Sequence, residues 1–243
     1  MKHFLIILLV TGLIGCKPIP PPSPMPTPVS VFLSYPVYLQ PAADRVVDCA
    51  NENPLLALFL DPIPADQSQL PGVLLQLQLG EYGLNGNNFY QVGEEEIKII
   101  INTNNPLIQL STDQLVAIYS GQLTHWEYGN QPEIQVWSYP PEDNLRILLE
   151  IAIPGTPQLS SRANIAPTPT AVIRAVASDP AALGSVPGTW LDNLTADERS
   201  SIKTVELDAI VRANLSHPVL ISVEEPLSPA IHSLVACMQN FED

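Results

Sequence analysis

Asn105-Pro-Leu-Ile-Gln-Leu-Ser-Thr-Asp-Gln-Leu-Val-Ala-Ile-Tyr-Ser-Gly-Gln-Leu-Thr-His-Trp126 is the most patterned stretch of this chain. Asn104-Asn105-Pro106 ends whatever strand precedes it. Leu110-Ser111-Thr112-Asp113 then caps a helix over residues 114–120. The Ser111 hydroxyl can accept from the exposed amides of the first turn, and Asp113 sits where the helix dipole favours an acid. Gly121 stops the helix, and residues 122–126 turn the chain.

Working outward, Glu96-Ile-Lys-Ile-Ile-Ile-Asn102 reads as a strand entering this block and Glu133-Ile-Gln-Val-Trp-Ser-Tyr139 as one leaving it. A helix follows over residues 142–153, with Leu145, Leu148, Leu149 and Ala152 on one face. Thr168-Pro-Thr170 opens another over residues 171–178, and Ala182–Val186 is a short strand. Towards the N-terminus, Tyr35-Pro-Val-Tyr-Leu-Gln40 reads as a strand and residues 41–50 as a helix with Pro41 in its first turn. Leu55–Leu60 and Gly72–Gly80 are further strands, the second alternating Gln and Leu. The tail adds strands at Ile202–Leu207 and His217–Val223 and a capped helix over residues 228–240. Strands alternating with helices predict an α/β fold with a mixed, mostly parallel sheet.

The first residues carry an address. Met1-Lys2-His3 is followed by an apolar run to Gly15, shorter than the roughly 20 residues a spanning helix needs but long enough for a signal peptide. Leu13-Ile14-Gly15-Cys16 matches a bacterial lipobox, so residues 1–15 are expected to be removed and Cys16 lipidated. Residues 16–30 follow as the lipidated Cys and a proline-rich tether, with Pro at nearly every second position of 18–28 and an extended, semi-rigid form expected.

The apolar share of 46% is enough for a core. Once Lys2 leaves, 9 basic side chains face 25 acidic ones. That balance excludes nucleic acid and anionic lipid as partners and makes a multiply charged anion an awkward ligand. No CxxC, HExxH or His/Cys cluster indicates a metal, and no cofactor is implied. With Cys16 lipidated, Cys49 and Cys237 are an even pair in an oxidising compartment, open to a disulfide or to two buried thiols. There is no GxSxG, and His3, His125, His217 and His232 form no triad pattern, so no enzyme is expected.

The 105–126 block resembles the "NP…L(S/T)xxQLxxIFxGxxxxW" block of periplasmic phosphate-binding-protein-like solute receptors of the ABC-transporter type. Ala181-Ala182-Leu183-Gly184-Ser185 is similar to that family's "pGAIGY". The resemblance implies a type II periplasmic-binding fold with two lobes, 31–102 plus 186–243 and 103–185, and a ligand cleft between them. It puts Cys49 and Cys237 on the first and last helices of one lobe, which implies a disulfide. It also implies a small-molecule solute, a partner ABC permease, attachment to the membrane through the lipid alone, and a monomer.

The departures lie at the ligand. Where phosphate binders carry a Ser-Gly-Thr-like turn, this chain has Tyr139-Pro140-Pro141-Glu142-Asp143. Prolines remove amide donors and the two acids repel an anion, so phosphate is not the expected solute. Glu142 and Asp143 cap a helix start in the simplest reading; facing a cleft, they suit a cation or an amine, with Trp137 and Tyr139 beside them for cation–π contact. Gln40, Asn104 and Thr168 are ligand-binding candidates by position. The expected function is a lipid-anchored, extracytoplasmic solute-binding protein. The alternative is a binding-protein-like envelope module that has lost transport and serves interaction or sensing.

Overall fold

A computed structural model describes residues 27–61, 72–82, 84, 88–130, 132–153, 159–223 and 226–240. Residues 1–26, on which the expected signal peptide, the expected lipidation at Cys16 and most of the expected tether fall, lie outside the described residues.

The first strand, β1 (Val29–Ser34), begins inside the stretch assigned to the tether, and Val31 and Leu33 are wholly buried. Tyr35–Gln40 is therefore not a strand. Pro36 cannot donate to a ladder, and the chain instead makes a single 3-10 turn, Val37–Leu39, leading into α1 (Gln40–Asn51). There follow β2 (Leu56–Asp61), β3 (Val73–Leu79) and β4 (Asn88–Asn102). β5 (Gln109–Leu110) leads into α2 (Thr112–Tyr119), whose N-terminus is a complete capping box: Ser111 accepts from Gln114 N, and the Gln114 side chain accepts from Ser111 N. The chain then runs through β6 (Gln135–Ser138), α3 (Asn144–Ala152), β7 (Asn164–Ile165), α4 (Pro169–Ser178) and β8 (Ala182–Pro187). Three short helices, α5 (Thr189–Asp192), α6 (Ala196–Ser201) and α7 (Ala209–Asn214), are interleaved with β9 (Ile202–Thr204) and β10 (Glu206–Leu207). β11 (Ser216–Val223) and α8 (Pro229–Gln239) complete the chain.

The sheet runs β2-β1-β3-β11-β4-β8-β6-β7, with β9 also paired to β4. Its two wings, β2-β1-β3 and β8-β6-β7, are parallel, and the antiparallel neighbours β11 and β4 join them. β4 serves both wings: Asn88–Glu96 pairs with β11, and Ile97–Ile101 pairs with β8. Ile97, Ile99, Ile100 and Ile101 are buried, so this half of β4 lies between covered faces.

Each wing has its own clamp. In the first, a disulfide joins Cys49 of α1 to Cys237 of α8, with 5.9 Å between Cα atoms and a sequence separation of 188. In the second, α4 lays Val172, Ile173 and Val176 on β8, whose six residues are all buried. The indole of Trp126 donates to Ala181 O at 2.9 Å, pinning the turn after α2 to the start of β8. None of the helices among the described residues is long and apolar enough to cross a membrane.

Candidate functional site

The carboxyl ends of β1 and β6 bring two connections together, and ligand crevices in open α/β sheets form at such places. A cavity of about 540 Å³ lies there. Ser34, Tyr35 and Tyr38, from the β1–α1 connection, form one wall. Gln76 and Gln78 of β3, with Tyr82 beyond it, form the second, and Pro140, Glu142, Asp143, Asn144 and Ile147, from the β6–α3 turn and α3, form the third.

Local hydrogen bonds hold each wall. The Tyr35 hydroxyl donates to Gln40 Oε1 at 3.0 Å, and the Trp190 indole donates to Tyr38 O at 2.8 Å. Gln78 Nε2 donates to Tyr82 O at 2.7 Å, fixing the backbone that carries that ring. Asn144 Nδ2 donates to Leu79 O at 2.7 Å, so the start of α3 is tied to the end of β3 across the cleft.

The charge in the cavity is negative. Asp143 caps α3, its Oδ1 accepting from Leu145 N at 2.9 Å. Burial raises the Asp143 carboxyl above its ordinary value; the Leu145 amide opposes this, and neighbouring Glu142 adds to it. Burial also raises the Tyr38 phenol, with the Asp143 charge adding to the shift and the Asn144 side chain opposing it. Among the described lining residues there is no Lys or Arg. Arg146, one turn along α3, gives Nε to Glu150 at 2.9 Å and Nη1 to Tyr139 O at 3.3 Å, which commits its charge elsewhere. No group of three or more His, Cys, Asp or Glu suited to a metal ion occurs among the described residues.

Of the residues expected at the ligand, Glu142 and Asp143 line this cavity. Gln40 reaches it only through Tyr35. Asn104 is exposed in the loop after β4, where its amide donates to Asn102 Oδ1 at 2.9 Å. Thr168 caps α4, accepting from Ala171 N. Tyr139 does not face the cleft: it is 1% exposed, and its hydroxyl donates to Ser185 O at 3.0 Å within the second wing. The reason is packing, since a ring at the end of β6 is buried against β8 rather than left over the turn. Tyr35, Tyr38, Tyr82 and the two glutamines escaped the sequence reading. The alternation of Gln76 and Gln78 with Leu75, Leu77 and Leu79 marked a polar face without saying what that face overlooks.

Solved structures repeat this architecture. A phosphate ABC transporter substrate-binding protein from Clostridium perfringens, with phosphate bound, superposes with a TM-score of 0.67 at 17% identity, covering 86% of this chain and 92% of that one. An ABC-type phosphate transport receptor from Vibrio cholerae gives 0.63 at 15% identity, covering 87% and 94%. A point variant of the OxyR2 regulatory domain from Vibrio vulnificus gives 0.64 at 13% identity, covering 88% and 98%. At such identities the likeness is one of fold. No curated protein matches the sequence. Residues 78–235, well over half of the chain, match the PBP superfamily domain, and the chain belongs to that family.

Proposed function

We propose that this chain is a lipid-anchored, extracytoplasmic solute-binding protein, the substrate-binding component of an ABC-type importer. The observation that carries the reading is the cavity between the β1–α1 and β6–α3 connections, at the crevice where this fold can close on a small molecule. Cys16 is taken as the lipidated residue, the proline-rich segment as the spacer, and a membrane permease as the partner of a monomeric receptor.

The lobes follow the sheet pairing. We take the second half of β4 with β8, β6, β7 and β9 as the core of one lobe, the one expected around residues 103–185. The first wing, β11 and helices α1 and α8 form the other. The solute is not expected to be phosphate, because Pro140 and Pro141 remove two amide donors from the turn, Asp143 takes the Leu145 amide, and the two acids there repel an anion.

That same loss favours a second reading, an envelope module with this fold that has kept interaction or sensing and given up transport. A thermal-stability panel of anions, cations, amino acids and sugars separates the two. A solute that raises the unfolding midpoint supports the receptor. A flat response across the panel favours the second reading.

A further inference from the structure

We infer that the solute held in this cleft is an organic ammonium cation, a primary amine or a quaternary ammonium, an inference that rests on the solute-binding reading above. The cavity, at about 540 Å³, falls within the roughly 300–1,000 Å³ typical of small-molecule sites. Glu142 and Asp143 stand on one wall, and Tyr35, Tyr38 and Tyr82 border the same space. Carboxylates with aromatic neighbours are the surroundings an ammonium group takes, through charge-assisted contact on one side and the negative faces of rings on the other.

Three other ligand classes fit less well. A phosphate-like anion would meet two carboxylates and find the Leu145 amide already given to Asp143. A metal ion is not favoured, since no group of three or more His, Cys, Asp or Glu suited to one occurs among the described residues. A neutral sugar could use Gln76 and Gln78 but would leave the half-buried Asp143 carboxylate with no opposite charge. An ammonium group provides that charge. The chain's formal net charge of −15 draws a cation towards the cleft from a distance.

Calorimetric titration of the purified chain at low salt with choline, putrescine, inorganic phosphate and glucose tests this. Binding of choline or putrescine, weakening as salt rises, is the expected result, with no heat from phosphate or glucose. Asp143→Asn keeps a good helix cap and should weaken amine binding at least tenfold with the apo unfolding midpoint held. Tyr82→Ala, at an exposed position, should weaken it several-fold. Binding of phosphate or glucose without either amine overturns the inference and leaves the solute-binding reading standing. Silence to all four probes also overturns the inference, while only a flat response across the wider panel of anions, cations, amino acids and sugars overturns the solute-binding reading. Amine binding untouched by both substitutions overturns the assignment to this cavity.

Discussion

The two wings of the sheet are built from the same βα pieces but held by different means. β2, at the outer edge of the first wing, has no buried residue among Leu56–Leu60, and Phe59, stacked on Phe32 with centroids 5.0 Å apart, stays 50% exposed. That wing is fastened from behind by α1, α8 and the covalent link between them. In the second wing every residue of β8 is buried, and α4 approaches so closely that a Cβ added to Gly184 would overlap Val172 Cγ1. One wing thus depends on a cross-link that restricts the unfolded chain, the other on close packing.

The largest expected effect breaks the first clamp. Reduction, or Cys49→Ser with Cys237→Ser, releases a loop of 188 residues and should cost about 5 kcal/mol by the chain-entropy estimate. Urea unfolding with and without reductant measures that loss. Hydrogen exchange should deprotect β1 and β3 well before β8, and equal deprotection of both wings would show the contrast to be false.

Next comes the packing of the second wing. Gly184→Ala should cost roughly 1–3 kcal/mol through overpacking. Adding Val172→Ala should recover part of it, because the two sites touch. A double-mutant cycle with purely additive losses would place the strain elsewhere.

The smallest effect concerns the joint between the wings. Glu95, 4% exposed and one residue short of the point where β4 changes partner, accepts from Thr189 Oγ1 at 2.5 Å and Thr189 N at 3.2 Å. Burial raises its carboxyl, against the opposing pull of the Thr189 and Gly188 hydrogen bonds and of Arg45. A raised carboxyl pKa means that the folded state holds the proton more tightly. The contribution of Glu95 is therefore complete below its ordinary value of 4.5 and is lost as pH rises through the higher folded value. Glu95→Gln should cost about 1 kcal/mol at mildly acidic pH, where the wild type still gains from the proton, and less at neutral pH. A pH–stability slope unchanged by the substitution would remove Glu95 from the joint.

How much was legible follows the range of the forces involved. The helix over residues 112–119 was visible because its cap, its dipole and its terminating glycine act within a few residues. The strand expected at Tyr35–Gln40 failed because an apolar hexapeptide fits a strand or a helix entry equally well, and Pro36 and the packing of α1 decided between them. α6 went unseen because none of its residues is buried, so no periodicity marks it. It stands on the Thr195–Glu198 capping box instead.

The sequence by itself determined the α/β alternation, the caps at Ser111 and Asp143, the acidic balance and the lack of anion-holding amides at Tyr139–Asp143, all matters of composition or of neighbours along the chain. Only the tertiary structure decided that Tyr35 and Tyr38 share a cavity with Glu142 and Asp143, more than a hundred residues away. It also decided that Tyr139, next to them in sequence, turns into the core. Strand order sets both outcomes, and strand order arises from burying whole faces of sheet and helix together, which no local pattern encodes.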